Sequence, residues 1–408
     1  MKTNTSHPLD QRISRALCIV LSIVIYWNCG GITSLKLPPQ DEVTEENSWL
    51  TLGRNAQHQH YSPKDIAPPL GVVWKENVKS VVADHPLALG NYILAPTLNG
   101  TLYMFDYDTG ERLSDGKLGP SLSNAPTIYK NRMYAGLNLG EKTLVSYDLK
   151  KADKLLNKPY PNIDTTPLIE NQKIYFGTTQ SAFYCVNIET GEKIWDFKTR
   201  APIRSSPAYQ ASAIIFADEK GWLYSLDASS GVKFWEIHLQ GNIFSHPVVD
   251  DSSAYIGTAA GEFYCINLKS GEIVWQKIFD GAIYSSPALY QNVLYLGTNG
   301  HKVIALNKET GDNVWVFETA GIVNTIPLPS PDYLYVTSWD RHLYVLNRFS
   351  GKLIFKLKFK RAPKSSPIIF RDYVLIHTAN DKLFALANEK FIEKWKERKK
   401  KRKRGKKR

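Results

Sequence analysis

Short apolar runs alternate with polar turns along most of this chain. Val293-Leu-Tyr-Leu-Gly297 and Phe263-Tyr-Cys-Ile-Asn267 are typical runs, in which successive side chains would point to opposite faces of a strand. In the turn that follows, Asn267 precedes Gly271; the amide can hydrogen-bond the turn backbone, and glycine supplies a positive φ. The pattern predicts short antiparallel strands joined by tight turns, and therefore an all-β fold.

The strands belong to a repeat. Four short strands can be placed in each unit, and tryptophan marks the fourth strand in the central units, at Trp195, Trp235, Trp275 and Trp315. The Ser-Ser-Pro segments, such as Ser205-Ser-Pro207, are expected to lie in the first strand of each unit. Units of this size repeated eight times predict a single eight-bladed β-propeller over residues 48–390. The units are marked by prolines spaced 40 or 41 residues apart: Pro86, Pro126, Pro167, Pro207, Pro247, Pro287, Pro327 and Pro367.

Two segments compete to complete the last blade, because Trp74 lies one repeat before the first unit's fourth strand and Trp395 one repeat after the last. We predict that the strand around Trp74 closes the ring by pairing with the strand around 383–386, which would remove an exposed edge. The Glu/Lys-rich segment around Trp395 is predicted to be helical, with Phe391, Ile392 and Trp395 on one face.

The repeat motif Ala-x-Asn/Asp-x-x-Thr/Ser-Gly-x-x-x-Trp resembles the tryptophan-docking repeat of the pyrroloquinoline-quinone-like propeller family. The opening Trp49-Leu-Thr-Leu-Gly53-Arg-Asn55 resembles the segment before the first blade in that family. The resemblance implies the fold, but the family contains both dehydrogenases and non-catalytic scaffolds. Within it, the chain most resembles lipoproteins that assist outer-membrane assembly, which implies docking to a β-barrel assembly protein.

The dehydrogenases of this family resemble one another in a vicinal Cys-Cys pair, calcium ligands and an Asp base. This chain has no adjacent cysteines, and Cys185 and Cys265 are expected to be small core residues. His58 and His60 lack an evident third ligand. We therefore predict no catalytic residue, no cofactor and no metal site. A quinone-dependent dehydrogenase remains an alternative hypothesis.

The two ends of the chain differ from the body. Residues 1–29 are typical of an export signal, with Cys29 as the candidate lipid-attachment residue, and residues 30–47 are typical of a polar tether. Tyr26-Trp27-Asn28 departs from the small residues that usually precede such a cysteine, so ordinary secretion or an uncleaved anchor stays open. The chain is expected to be exported and anchored at the periplasmic face of the outer membrane or at the cell surface.

The net charge of +12 comes almost entirely from the C-terminal tail, residues 391–408. Its last fifteen residues hold 12 Lys or Arg and one Glu, which leaves 39 basic and 38 acidic residues elsewhere. Nucleic acid is therefore not an expected partner of the body. The tail is either a disordered solubilising end or a contact for an anionic membrane surface, made by Phe391, Ile392, Trp395, Lys399, Lys400 and Lys401.

Candidate partner-binding residues lie three positions before the prolines. The position two before each proline is always polar, which favours strand-end capping over ligand binding. The position three before varies, and variable positions on a repeated scaffold are where specificity can reside. We predict a mixed aromatic and basic patch at the channel mouth, suited to a protein partner. It comprises Arg204, Phe244, Tyr284 and Lys364.

These observations favour a monomeric, non-catalytic cell-envelope scaffold that binds a protein partner. A surface-exposed propeller lipoprotein that senses a ligand or mediates adhesion is the main alternative.

Overall fold

The computed structural model of the protein describes residues 48–405. Over that part of the chain, eight antiparallel sheets follow one another as the blades of a β-propeller, which confirms the predicted fold. Each blade has four strands, named A to D from the channel outwards, and blade 1 gains a short fifth strand, Ser48–Trp49, beside its strand A. Predictions that concern residues 1–47, including Cys29, lie outside the described residues.

Strands A to D of the first four blades follow the repeat closely. Their bounds are Leu87–Leu89, Tyr92–Pro96, Thr101–Asp106 and Arg112–Lys117 in blade 1; Thr127–Tyr129, Arg132–Gly136, Leu144–Asp148 and Lys154–Lys158 in blade 2; Leu168–Glu170, Lys173–Gly177, Ala182–Asn187 and Lys193–Lys198 in blade 3; Ala208–Gln210, Ala213–Ala217, Trp222–Asp227 and Lys233–His238 in blade 4.

The last four blades have the same order, except that strand D of blade 8 comes from the N-terminal side of the chain. Their bounds are Val248–Val249, Ser253–Gly257, Glu262–Asn267 and Ile273–Ile278 in blade 5; Ala288–Tyr290, Val293–Gly297, Lys302–Asn307 and Asn313–Glu318 in blade 6; Leu328–Pro329, Tyr333–Ser338, His342–Asn347 and Leu353–Lys358 in blade 7; Ile368–Phe370, Tyr373–Thr378, Lys382–Asn388 and Leu70–Asn77 in blade 8.

The prediction for strand A was wrong in its placement. The Ser-Ser-Pro segments precede strand A, which begins only after the proline, as at Ala208 after Pro207. A proline has no N–H to give to a sheet, so it marks the entry to the strand. The Ser-Ser-Pro residues therefore line the channel as extended chain above the strands.

At five of the eight junctions, the tryptophan of one blade docks onto the C–D turn of the next. Trp235 donates from Nε1 to the carbonyl of Leu268 at 2.7 Å. Gly271 adopts φ +76° in the same turn, and a Cβ there would lie 2.7 Å from the Trp235 ring. The motif thus needs glycine twice, for its backbone angle and for the close approach of the indole.

The ring closes as predicted through the strand that contains Trp74. Leu70–Asn77 pairs with Lys382–Asn388, with Trp74 opposite Ala385. The Trp74 ring packs on Gly110 of blade 1, which repeats the docking seen between other blades. An outer strand from one end of the chain therefore completes a blade from the other end, and leaves no unpaired strand C.

A C-terminal helix, Glu389–Gly405, covers this closing strand. Asn388 Oδ1 accepts a hydrogen bond from the N–H of Phe391 at the start of the helix. Ile392 and Trp395 are buried, and Phe391 packs edge-on against Tyr373. Of the helices within residues 48–405, none is long and apolar enough to span a membrane.

The predicted membrane contact of Phe391, Ile392 and Trp395 therefore needs correction. Their shared helical face is real, but it packs on the propeller, where Ile392 reaches Gly71. The reason is that the closing strand offers these side chains an apolar surface within the molecule. Lys399, Lys400 and Lys401 remain exposed beyond that contact, so their predicted contact with an anionic surface stays a prediction.

Candidate functional site at the channel mouth

The N-terminal segment closes one end of the central channel. In blades 4 to 7 the edge of strand A faces the channel, and residues 56–62 run along that edge. The N–H groups of Tyr209 and Leu289 donate to the carbonyls of Ala56 and Gln59, each at 2.9 Å. The segment therefore satisfies backbone donors that would otherwise be orphaned inside the ring. It leaves the channel as a blind cavity that opens at the other mouth.

Histidines fix this plug to the blades. His58 donates from Nδ1 to the carbonyl of Pro247, and His60 donates from Nε2 to the carbonyl of Pro367, both at 3.2 Å. Burial lowers the pKa of His58 to about 4 and that of His85, near His60, to about 4. Neutral imidazoles are thus built into the channel as structural hydrogen-bond donors. Among residues 48–405, no group of three or more His, Cys, Asp or Glu is arranged to hold a metal ion.

Hydrogen bonds join several pairs of neighbouring blades at the residue before the proline. The N–H of Ser206 donates to Nδ1 of His246, and the N–H of His246 donates to Oγ of Ser286, both at 2.8 Å. The donor and acceptor of each bond are separated by 40 residues, one repeat. The polar residues at this level are therefore used in holding the ring together.

Four of the eight residues that lie two before the prolines bond the backbone near the end of strand B, in line with strand-end capping. Ser245 donates from Oγ to the carbonyl of Gly257, and Ser365 accepts from the N–H of His377. Asp84 differs from the rest. It adopts φ +51°, and its Oδ2 accepts the N–H of Ala125 at 2.8 Å. Burial raises the pKa of Asp84 to about 6, and the neighbouring charge of Asp164 acts in the same direction.

The four predicted partner-binding residues all line the open mouth of the cavity, whose volume is about 630 Å³. Phe244 and Tyr284 contact each other, with ring centroids 5.7 Å apart, and Tyr284 is 42 % exposed. Arg204 pairs with the buried carboxylate of Asp164. The structure thus brings together residues spread over 160 positions of sequence, from Arg204 to Lys364.

Sequence reasoning missed a second tier of mouth residues. Lys364 Nζ lies 3.6 Å from the centre of the Trp339 ring, and Arg204 Nε lies 3.2 Å from a carboxylate oxygen of Glu219. Trp339 and Glu219 occupy the same repeat position, twelve residues after Pro327 and Pro207. An alignment of the repeats could have identified these two residues, since their position in the B–C hairpin varies from blade to blade.

The basic end of the helix forms a separate charged surface. Lys399, Lys400 and Lys401 are exposed, and Lys399 Nζ lies 4.4 Å from the centre of the Trp395 ring. Because Trp395 is held against the propeller, the charged turn is carried on a docked helix rather than on a loose tail.

Comparisons with known proteins agree on the repeat and the fold. A family model described as outer membrane protein assembly factor BamB matches residues 157–243 and 219–331. No curated protein matches the chain. The crystal structure of BamB from Moraxella catarrhalis is similar, with a TM-score of 0.65 and 16 % identity over 78 % of this chain and 99 % of that one.

Enzymes share the architecture. A quinohemoprotein alcohol dehydrogenase from Comamonas testosteroni has a TM-score of 0.72 at 10 % identity, over 84 % of this chain and 81 % of that one. A europium-containing methanol dehydrogenase has a TM-score of 0.74 at 9 % identity, over 84 % of this chain and 98 % of that one. Identities this low establish the fold alone.

The enzyme neighbours raise the question of whether this cavity suits a quinone cofactor with a metal ion. Pyrroloquinoline quinone carries carboxylates, but Arg204 is already paired with Asp164 and Asp84 would repel such a ligand, which leaves Lys364 alone to compensate its charges. The described residues 48–405 contain no cluster of acidic or His ligands for the metal, and the sequence has no vicinal cysteines. The residues present therefore do not fit the cofactor.

The family-model match covers the central repeats, which are also the repeats that keep tryptophan and glycine at the docking positions. The solved structures extend the same architecture over about four fifths of the chain. The chain is therefore an eight-bladed β-propeller whose central repeats are similar to those of the BamB family model.

Proposed function

We propose that this protein is a non-catalytic scaffold of the cell envelope that binds a protein partner at the channel mouth. The observation that supports this most directly is the contact of Phe244 with Tyr284 at the rim of a plugged channel. Aromatic side chains that are part exposed and held by neighbours lose little conformational entropy on binding, and they dominate many protein interfaces.

The charges around the aromatic pair suit a protein surface. Arg204 is oriented by Asp164 and Glu219, while its side chain stays 44 % exposed. A guanidinium fixed in this way can form hydrogen bonds to partner carboxylates or carbonyls at little entropic cost. The repeat scaffold supports the mouth, because five of the eight blades dock a tryptophan on the next blade.

The partner class is proposed from the family resemblance. BamB is named an outer membrane protein assembly factor, so a β-barrel assembly protein of the envelope is the proposed partner. Export through residues 1–29 and lipid attachment at Cys29 would place the propeller at the membrane where such a partner resides. We propose that the protein acts there as a monomer.

The exposed lysines of the helix are proposed as a second contact, with the anionic membrane surface. Since Trp395 is buried, this contact would be electrostatic, without insertion of aromatic side chains. Vesicles containing phosphatidylglycerol should bind the protein at low salt and release it at high salt. The triple variant K399E/K400E/K401E should bind at least tenfold more weakly, while Lys352→Glu on blade 7 should behave as wild type.

The scaffold proposal is tested by mild crosslinking and pull-down of the full-length protein from native envelopes, followed by mass spectrometry. A β-barrel assembly protein should be enriched, and the double variant F244A/Y284A should lose it. Ile278→Ala, which truncates an apolar side chain on the outside of blade 5 that is 72 % exposed, is the matched control and should retain the partner. Equal capture by both variants would disprove the assigned surface. Dye-linked alcohol oxidation on addition of pyrroloquinoline quinone and calcium would instead support an enzyme.

A further inference from the structure

The blind cavity contains one acidic and one basic side chain that have no counter-ion. Four charged residues line it: Asp84, Asp164, Arg204 and Lys364. Asp164 and Arg204 pair with each other. Within the described part of the chain, neither Asp84 nor Lys364 forms an ion pair with any residue. The cavity is thus left with one anionic and one cationic position, on the adjacent blades 1 and 8.

Both groups are partly removed from water. Burial raises the pKa of the Asp84 carboxyl and lowers the pKa of the Lys364 ammonium. Asp84 keeps one backbone donor, the N–H of Ala125, and Lys364 keeps only the face of the Trp339 ring. Charges in this state are costly to leave uncompensated, so a ligand of the opposite charges would be favoured.

Uncharged groups of the cavity are also unpartnered. The hydroxyl of Ser285, in a residue only 6 % exposed, and the side-chain oxygen of Asn138 line the cavity without a hydrogen-bond partner. Ser285 directly follows Tyr284, so a polar and an apolar group adjoin on the same blade. The cavity volume of about 630 Å³ lies in the range of sites for small ligands.

We propose that this cavity binds a small zwitterion, an α-amino acid or dipeptide with an apolar side chain. Asp84 would accept the α-ammonium group, Lys364 would bind the α-carboxylate, and the side chain would pack against Phe244 and Tyr284. This inference goes beyond the scaffold role and does not depend on it, because the site needs no protein partner.

The test is isothermal titration calorimetry of the purified full-length chain with four probes. L-Phenylalanine and L-phenylalanylglycine are the zwitterions, and they distinguish a free amino acid from a dipeptide. N-Acetyl-L-phenylalanine lacks the cation, and L-phenylalaninamide lacks the anion. At least one zwitterion should bind, and each blocked form of phenylalanine should bind about tenfold more weakly or worse, as expected for loss of a charge-assisted hydrogen bond.

Variants assign each charge. Asp84→Asn should weaken binding of the zwitterion about tenfold, but it should not further weaken binding of N-acetyl-L-phenylalanine, which has no ammonium group. Lys364→Gln should likewise weaken binding of the zwitterion, but it should not further weaken binding of L-phenylalaninamide, which has no carboxylate. Asparagine tolerates the positive φ of position 84, so the fold should persist, which circular dichroism checks. Glu309→Gln and Lys352→Gln, both on exposed turns, are matched controls. Absence of binding by both zwitterions, or wild-type binding by both cavity variants, would overturn the inference. Neither outcome bears on partner capture by F244A/Y284A, so the two proposals fail separately.

Discussion

The indole of Trp395 donates from Nε1 to the backbone carbonyl of Asp108 at 2.7 Å, across 287 residues of sequence. Asp108 lies in the C–D turn of blade 1, the turn onto which Trp74 also packs through Gly110. A tryptophan on the C-terminal helix thus reaches the same turn as the tryptophan of the closing strand. The seam between the last blade and the first is fastened twice, by a strand and by a helix.

We predict that Trp395→Ala lowers the free energy of unfolding by about 2–4 kcal/mol, because it removes a buried aromatic ring and leaves the Asp108 carbonyl without its donor. Urea unfolding followed by circular dichroism measures the change. Lys396→Ala, the exposed neighbour on the same helix, should change stability by less than about 0.5 kcal/mol. Equal stability of both variants would mean that the helix does not fasten the seam.

The turn glycines give a second prediction. Gly271→Ala should destabilise the protein by more than about 2 kcal/mol, because the residue has φ +76° and the new Cβ would meet the Trp235 ring at 2.7 Å. Gly140→Ala separates the two causes: φ is +110° there, but the nearest atom to a Cβ lies 3.6 Å away. The midpoint temperature of thermal unfolding should be clearly lower for Gly271→Ala than for Gly140→Ala. The reverse order would show that indole docking contributes little.

The repeat made the fold predictable, because its spacing is a long-range signal that needs no side-chain geometry. Trp74 could be assigned to the closing strand for the same reason. It lies one repeat before the fourth strand of the first unit, and the last blade needs a fourth strand from elsewhere in the chain. The docking of Trp395 could not be predicted, since its helical face looks the same whether it packs on protein or on lipid. The repeat frame also placed Arg204 and Lys364 at the mouth, but not their contacts with Glu219 and Trp339, which depend on hairpins from other positions of the repeat.

The buried histidines predict a loss of stability in mild acid. The pKa of His377 is lowered to about 4 and that of His246 to about 3, chiefly by burial, against 6.5 for an ordinary histidine. The unfolded chain therefore binds more protons than the folded one between pH 6.5 and about 4, and stability falls as pH falls through that window. His58, His60 and His85 face one another in the channel and act in the same direction.

The expected cost between pH 6.5 and 5 is roughly 2 kcal/mol per buried histidine. Asp84 acts in the opposite sense, because its raised pKa means that the folded state takes up a proton below about pH 6. His377→Leu should flatten the pH dependence of urea unfolding by about one proton, since burial keeps the His377 imidazole neutral in the folded state through most of this window. His301→Gln, on an exposed hairpin, should leave the slope unchanged. An unchanged slope in His377→Leu would show that this histidine is protonated in the folded state.

The ion pair of Arg204 with Asp164 predicts a compensating pair of substitutions. Asp164 is only 8 % exposed in its side chain, so Arg204→Gln leaves a carboxylate with little access to water and should cost about 2–4 kcal/mol of stability. Asp164→Asn added to Arg204→Gln should recover most of that loss, because an amide has no charge to compensate. A urea-unfolding double-mutant cycle measures the coupling, and additive losses would contradict it. Recovery of stability also allows a test of function. The double variant would lack the guanidinium at the mouth but would remain folded, so a loss of partner capture would reflect the changed surface rather than unfolding.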